Sequence, residues 1–174
     1  MLLVTSAGAP WAFFQWGGPT RYHLENFREA LDVPGEWFLD RDGTINQDSD
    51  QYIKSPAEWL PLKGSLEAIA RFTQAGYQVV VATNQSGLGQ GLFDMATFNA
   101  MNDKMMEMVF RQGGRIDALF FCPHTDAENC GCRKPKPGLL REIGSRFDVS
   151  LKGVPMIGDS LRDVEAAAAW SRSA

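Results

Sequence analysis

The sequence predicts an α/β protein, a three-layer α/β/α sandwich around a parallel sheet. Three observations carry this. Short apolar runs alternate with amphipathic segments from Gly35 onward, turn residues fall between them, and four of the apolar runs end in a polar or glycine-rich turn. The chain has 174 residues, 44% of them hydrophobic and 22% charged, which suits one well-buried core.

Taken in order, WFLD (residues 37–40) reads as a buried strand ending at Asp40. SLEAIARFTQAG has Leu66, Ile69 and Ala70 at helical spacing, with Ser65 as N-cap and Gly76 as stop. The strand YQVVVAT follows, and Asp94 caps a helix running through Phe98, Met101, Met105 and Met108 to Gly113. IDALFFC is again a short strand, Pro137 suits the first turn of the helix GLLREIGSRF, GVPMIGD is a strand and LRDVEAAAAW a last helix. Residues 1–35 are expected to be an atypical N-terminal extension, loosely packed, with a short helix around Tyr22 to Leu31. Their Trp11, Phe13, Phe14 and Trp16 allow a second reading as a docking patch. Residues 36–174 form the expected main domain.

In such folds the ligand site lies at the carboxyl ends of the strands. Those ends are Asp40, Thr83, Cys122 and Asp159, followed by DRDGTIN, TNQSGLGQG, PHTDAENCGCRKP and GDSLRD, so four distant loops are expected to converge. The net charge of −4, with Lys and Arg spread out, argues against nucleic acid as partner. The apolar start has no Lys or Arg before Arg21 and no run near the roughly 20 residues needed to span a bilayer, so neither an export signal nor a membrane partner is expected. The odd cysteine count is a poor disulfide framework and points to a reducing cytoplasm.

Asp40 and Asp42 lie two apart just past a buried strand. One carboxylate can attack phosphorus while the other supplies and removes a proton. Gly43 lets the backbone approach an anionic group. Asp159 reads either as a helix N-cap or, with Asp40 and a backbone carbonyl, as part of the oxygen-rich pocket Mg2+ prefers. Thr83 and Asn84 lead into QSGLGQG, a small-residue loop whose free amides suit phosphate oxygens, although no Lys-Ser or Lys-Thr pair makes it a nucleotide loop. Arg133 and Lys134 form either a solvated basic turn or fixed cations beside a phosphate. In the second case, loss of one such donor costs about 2.7 to 4 kcal/mol of transition-state energy. Cys122, His124, Cys130 and Cys132 match a closed tetrahedral Zn2+ shell of structural type. A disulfide would leave one thiol over, and a catalytic cysteine would have only His124 as base.

DRDGTIN, VATNQSG, CRKPKPG and IGDS, in this order, resemble the four motifs of haloacid dehalogenase-type phosphatases. The zinc quartet together with DRDGTINQDSDQYIKSPAEW looks like the branch acting on D-glycero-D-manno-heptose 1,7-bisphosphate, a precursor of lipopolysaccharide core sugar. The resemblance runs from about Trp37 to Ala169. It implies a Rossmann-like sheet without a large cap domain and a sugar phosphate as small-molecule substrate. It makes Asp40 the nucleophile and Asp42 the general acid and base. Thr83 and Lys134 then steady the phosphoryl group, and Asp40, the Asp42 carbonyl and Asp159 hold Mg2+. Asp48, Ser49, Asp50 and Gln51, with Thr83, Asn84, Gln85 and Ser86, line the sugar side, helped by Arg133. Structural Zn2+ sits on the cysteine-rich loop, and a monomer is expected. Relatives begin only a few residues before the nucleophile strand and continue beyond the last helix, so the C-terminus reads as truncated, with one sheet edge left unpaired. Gln90 and Ser160 stand where relatives often have Arg and Lys. Histidinol phosphate is the alternative substrate, although such enzymes tend to read TNQDG where this chain has Ser86. An inactive zinc-stabilised binding domain is the alternative of another class.

Overall fold

The computed structural model describes residues 2–5, 12–14, 35–148 and 154–171. Its sheet has the strand order β2-β1-β6-β3-β4-β5. The four expected strands are there: β3 (Glu36–Leu39), β4 (Gln78–Asn84), β5 (Ala118–Cys122) and β6 (Met156–Gly158). All their pairings are parallel, Phe38 facing Val80 on one side and Met156 on the other.

Alternation along the strands explains the layers. Trp37, Leu39, Val79 and Val81 point to one face, where they meet Leu66 and Ile69 of α1 (Ser65–Gln74). The same cluster takes in Phe98, Met101, Met105 and Val109 of α3 (Met95–Arg111). Phe38, Val80 and Ala82 point the other way, onto Leu139, Leu140 and Ile143 of α4 (Gly138–Phe147) and Ala166, Ala167 and Trp170 of α5 (Leu161–Ser171). A strand buried on both faces has to be apolar at every position, which is why VVVA reads as an unbroken run rather than an alternating one.

Three details depart from the expectations. Ser65 is the first helical residue and not the cap. Gly64 holds the cap position at φ 84, and the Ser65 hydroxyl donates to the carbonyls of Ile45 (2.7 Å) and Leu62 (2.9 Å), tying α1 to the loop after β3. The segment after Thr83 is not an open loop: Ser86–Gly89 make one helical turn, α2. The edge of β6 is not unpaired, because β1 (Leu2–Thr5) runs antiparallel beside it, with Leu3 opposite Gly158 and Thr5 opposite Met156. The strand β2 (Ala12–Phe14) pairs antiparallel beyond β1. The helix expected around Tyr22 to Leu31 and the aromatic docking patch lie outside the described residues. Asp94 caps α3 as expected, its carboxylate accepting the Thr97 amide at 2.8 Å. Among the described residues no helix is long and apolar enough to cross a membrane.

Candidate active site

The parallel strands deliver their ends to one crevice of about 350 Å³. Asp40 and Asp42 follow β3, Thr83 and Asn84 end β4 with Gln85 and Ser86 just after it, Arg133 and Lys134 arrive on the loop after β5, and Asp159 follows β6. Asp48, Ser49 and Asp50 line it from the long loop between β3 and α1. That loop is anchored by buried Ile45, Ile53 and Trp59, and by Lys104 of α3, whose ammonium donates to the carbonyls of Pro56 (2.6 Å) and Trp59 (2.8 Å). Gln51 is exposed and does not line the crevice.

Asp40 is held on both oxygens. Oδ1 accepts the Arg41 amide at 2.7 Å, and Oδ2 lies 3.0 Å from Lys134 Nζ. Lys134 is 1% exposed, and its three N–H bonds are all engaged: besides Asp40 they reach Asp163 Oδ1 at 2.5 Å and the Ala82 carbonyl at 2.8 Å. Burial alone would lower the Lys134 pKa, but the charges of Asp40 and Asp163 outweigh it and hold the ammonium above its usual range. One cation shared by two carboxylates does not satisfy both. Burial pushes Asp40 up to about 7 against the pull of Lys134, with Asp163 and Asp42 adding to the rise. Burial also raises Asp159, with repulsion from Asp163 and Asp48.

Asp42 faces a different cation. Both of its oxygens accept from the Arg41 guanidinium at 3.1 Å, and Asn46 and Gln85 add further donors. The carboxylates of Asp40, Asp42, Asp159 and Asp163 thus stand against two buried cations, Arg41 and Lys134. Asp40, Asp159 and Asp163 each offer an oxygen within 4.8 Å of the others, a hard and negatively charged donor set that fits Mg2+. Gly43 makes this approach possible twice over. It sits at φ 74, and a Cβ there would collide with the Asp159 carboxylate.

The cysteine-rich loop gathers its four ligand atoms as the spacing predicts. The Sγ atoms of Cys122, Cys130 and Cys132 lie 3.2 to 3.5 Å apart, and His124 turns Nδ1 to Cys122 at 3.5 Å and to Cys132 at 3.4 Å. Ligands at about 2.3 Å (sulfur) and 2.0 to 2.1 Å (nitrogen) from a tetrahedral Zn2+ would be separated by only slightly more than this, and the three cysteines form no disulfide, so the quartet fits the ion. Burial and the Cys132 thiol push Cys122 up to about 12. Cys130 is drawn down to about 7, hydrogen bonds from the Arg133 amide and from the other two thiols prevailing over its burial. The loop is braced at both ends: Arg133 donates to the His124 carbonyl at 3.2 Å and to Asp126 at 2.5 Å, and the Gln85 amide donates to the Cys122 carbonyl at 2.7 Å.

Two residues expected on the sugar side line the crevice and also hold its other side chains. Asn84 grips the Lys134 backbone from both sides, donating to its carbonyl at 3.0 Å and accepting its amide at 3.1 Å. Gln85 is buried and links Arg41, Asp42 and Thr83. Sequence reasoning missed Arg41 and Asp163 altogether. In the fold Gly158 leaves room for Asp163, whose side chain a Cβ there would strike.

The sequence pattern of the haloacid dehalogenase-like hydrolases matches residues 15–170. The chain belongs to this family. Among curated relatives, the D-glycero-beta-D-manno-heptose-1,7-bisphosphate 7-phosphatase of Bordetella bronchiseptica is 61% identical over 130 residues, covering 75% of this chain and 73% of that protein. The enzyme of the same name from Pseudomonas aeruginosa is 53% identical over 131 residues, covering 75% and 74%. The crystal structure of D,D-heptose 1,7-bisphosphate phosphatase from B. bronchiseptica, complexed with magnesium and phosphate, superposes with a TM-score of 0.75 at 59% identity, over 76% of this chain and 74% of that one. Membership of the hydrolase family agrees with a crevice built from an Asp pair at one strand end and a buried lysine opposite it.

Proposed function

We infer that this chain is a Mg2+-dependent phosphoric monoester hydrolase that removes the 7-phosphate of D-glycero-D-manno-heptose 1,7-bisphosphate through an aspartyl phosphate on Asp40. The observation that carries the reading is the placement of Asp40: a carboxylate at the end of β3, gripped at 3.0 Å by a lysine with no access to water, inside a crevice with excess negative charge. The names of the relatives support the substrate.

Asp40, aimed by the Arg41 amide and Lys134, attacks phosphorus. The bond to the sugar oxygen breaks, and Asp42 gives that oxygen its proton. Asp42 then takes a proton from the water that attacks the aspartyl phosphate, which returns Asp40 and releases phosphate. Thr83, whose hydroxyl accepts from Gln85 at 2.9 Å, keeps its own proton for a phosphoryl oxygen. Lys134 acts chiefly through Asp40, since all three of its hydrogens are engaged. Mg2+, held by Asp40, Asp159 and the Asp42 carbonyl, would offset the charge gathered between the carboxylates and the phosphoryl oxygens. Asp48, Ser49 and Asp50, with Ser86 and Arg133, are assigned to the sugar. Zn2+ on Cys122, His124, Cys130 and Cys132 would stiffen the arm that carries Arg133 and Lys134. Residues 36–174 carry the chemistry in this reading, in a cytoplasmic monomer.

Phosphate release from heptose 1,7-bisphosphate and from histidinol phosphate, measured in parallel with Mg2+, tests the substrate. Preference for the heptose is expected. Efficient turnover of histidinol phosphate with none of the heptose would overturn it.

A further inference from the structure

The Asp42 carboxylate has four acceptor positions, and four N–H groups fill them. Oδ1 accepts from Arg41 Nε at 3.1 Å and Asn46 Nδ2 at 2.9 Å; Oδ2 accepts from Arg41 Nη2 at 3.1 Å and Gln85 Nε2 at 2.7 Å. A carboxylate so occupied cannot reach a leaving oxygen unless one donor withdraws. Arg41 is not the one to go. It is 0% exposed, its Nη1 donates to Asn102 on α3 at 3.1 Å, and its guanidinium carbon lies 5.4 Å from the centre of the Phe98 ring. Asn46 is equally buried, and its Nδ2 also donates to the Gln47 carbonyl at 2.8 Å. Gln85 is placed differently. Its Nε2 hydrogens are divided between Asp42 and the Thr83 hydroxyl, and its Oε1 accepts from Arg41 Nη2 at 2.9 Å, so it can release Asp42 and still be held.

We propose that Arg41 is a positioning residue that fixes the Asp42 carboxylate as a two-toothed fork, and that Gln85 is the donor whose withdrawal frees one Asp42 oxygen to take up a proton from water and pass it to the leaving group. This rests on the phosphatase reading above. A lysine in place of Arg41 keeps the buried charge but supplies a point where a planar fork is needed, leaving Asp42 free to rotate.

Leaving-group dependence tests it. Nitrophenolate departs without a proton, whereas an alkoxide needs one, so 4-nitrophenyl phosphate and benzyl phosphate separate proton donation from everything else the site does. The quantity to compare is kcat/KM, which reports the step in which the ester is cleaved. Arg41→Lys is expected to lower kcat/KM for benzyl phosphate about 10- to 100-fold more than for the nitrophenyl ester, the range general acid catalysis and misplacement allow. Gln85→Met, which keeps length and removes the donor, leaves that oxygen free from the start, so it is expected to raise the benzyl-to-nitrophenyl ratio of kcat/KM, and it serves alone if Arg41→Lys does not fold. In an Asp42→Asn background the selective effect of either change disappears. Equal losses on both esters from Arg41→Lys, or a benzyl-to-nitrophenyl ratio that fails to rise in Gln85→Met, would overturn the proposal. Absence of aryl ester turnover in the unaltered protein would instead overturn the phosphatase reading beneath it.

Discussion

Lys134 Nζ and Asp163 Oδ1 lie 2.5 Å apart, both side chains 1% exposed, although 29 residues separate them in sequence. Asp163 leaves Lys134 fixed in place and still able to hold Asp40. Removing one partner of a buried pair leaves an uncompensated charge and costs about 3 to 5 kcal/mol, far more than an exposed pair. Asp163→Ala is therefore expected to lower stability by that amount, read as a shift in the urea midpoint, and to lower phosphatase activity with it. Arg111 with Glu107, another 2.5 Å pair but 69% and 61% exposed, provides the contrast: Glu107→Ala is expected to shift the midpoint little.

The pH dependence follows from Asp40. Its carboxyl is raised from 3.8 to about 7, chiefly by burial. The folded state thus binds a proton that the unfolded state has released, and the stability associated with Asp40 falls as pH rises from about 4 to about 7. Asp40→Asn, which stays neutral, is expected to melt higher than the unaltered protein in Mg2+-free buffer at pH 8, the gap narrowing toward pH 4. Thermal melts across this range check the sign. A gap that widens toward low pH would contradict it.

Much of this site was legible in the sequence because strand ends are. Asp40, Thr83, Cys122 and Asp159 follow apolar runs, and a parallel sheet brings such ends together whatever their separation. The zinc quartet was legible because its ligands lie within eleven residues. Arg41 was not, since a charged residue in a turn ordinarily points to water, and only the fold shows Asn102 and Phe98 waiting for it. Asp163 sits in a helix where an acidic residue reads as solvated. Asn84 and Gln85 were placed on the sugar side by the family resemblance, and only the fold shows that they also hold Lys134 and Asp42. The edge strand β1 was missed because Leu2–Thr5 is a short apolar stretch whose partner, β6, lies far along the chain.

Gly43→Ala combines two penalties. A left-handed conformation costs a residue with a Cβ about 1 to 2 kcal/mol, and here the Cβ would also displace Asp159. Weaker Mg2+ binding is expected, seen as a higher Mg2+ concentration for half-maximal activity, with the fold retained by circular dichroism.

The cysteine loop links metal to catalysis through Arg133, which reaches back to the His124 carbonyl, and through Gln85, which meets the Cys122 carbonyl. Cys130→Ser is expected to lower bound zinc, melting temperature and activity together. Full activity with zinc lost would make the loop irrelevant to Lys134.

The central claim is that Asp40 takes the phosphoryl group. Acid quenching of the enzyme during turnover of labelled phosphate ester, followed by proteolysis, should place the label on the peptide containing Asp40, and Asp40→Asn should leave that peptide bare. Steady turnover with no label on the chain, or label on a different residue, would contradict the account.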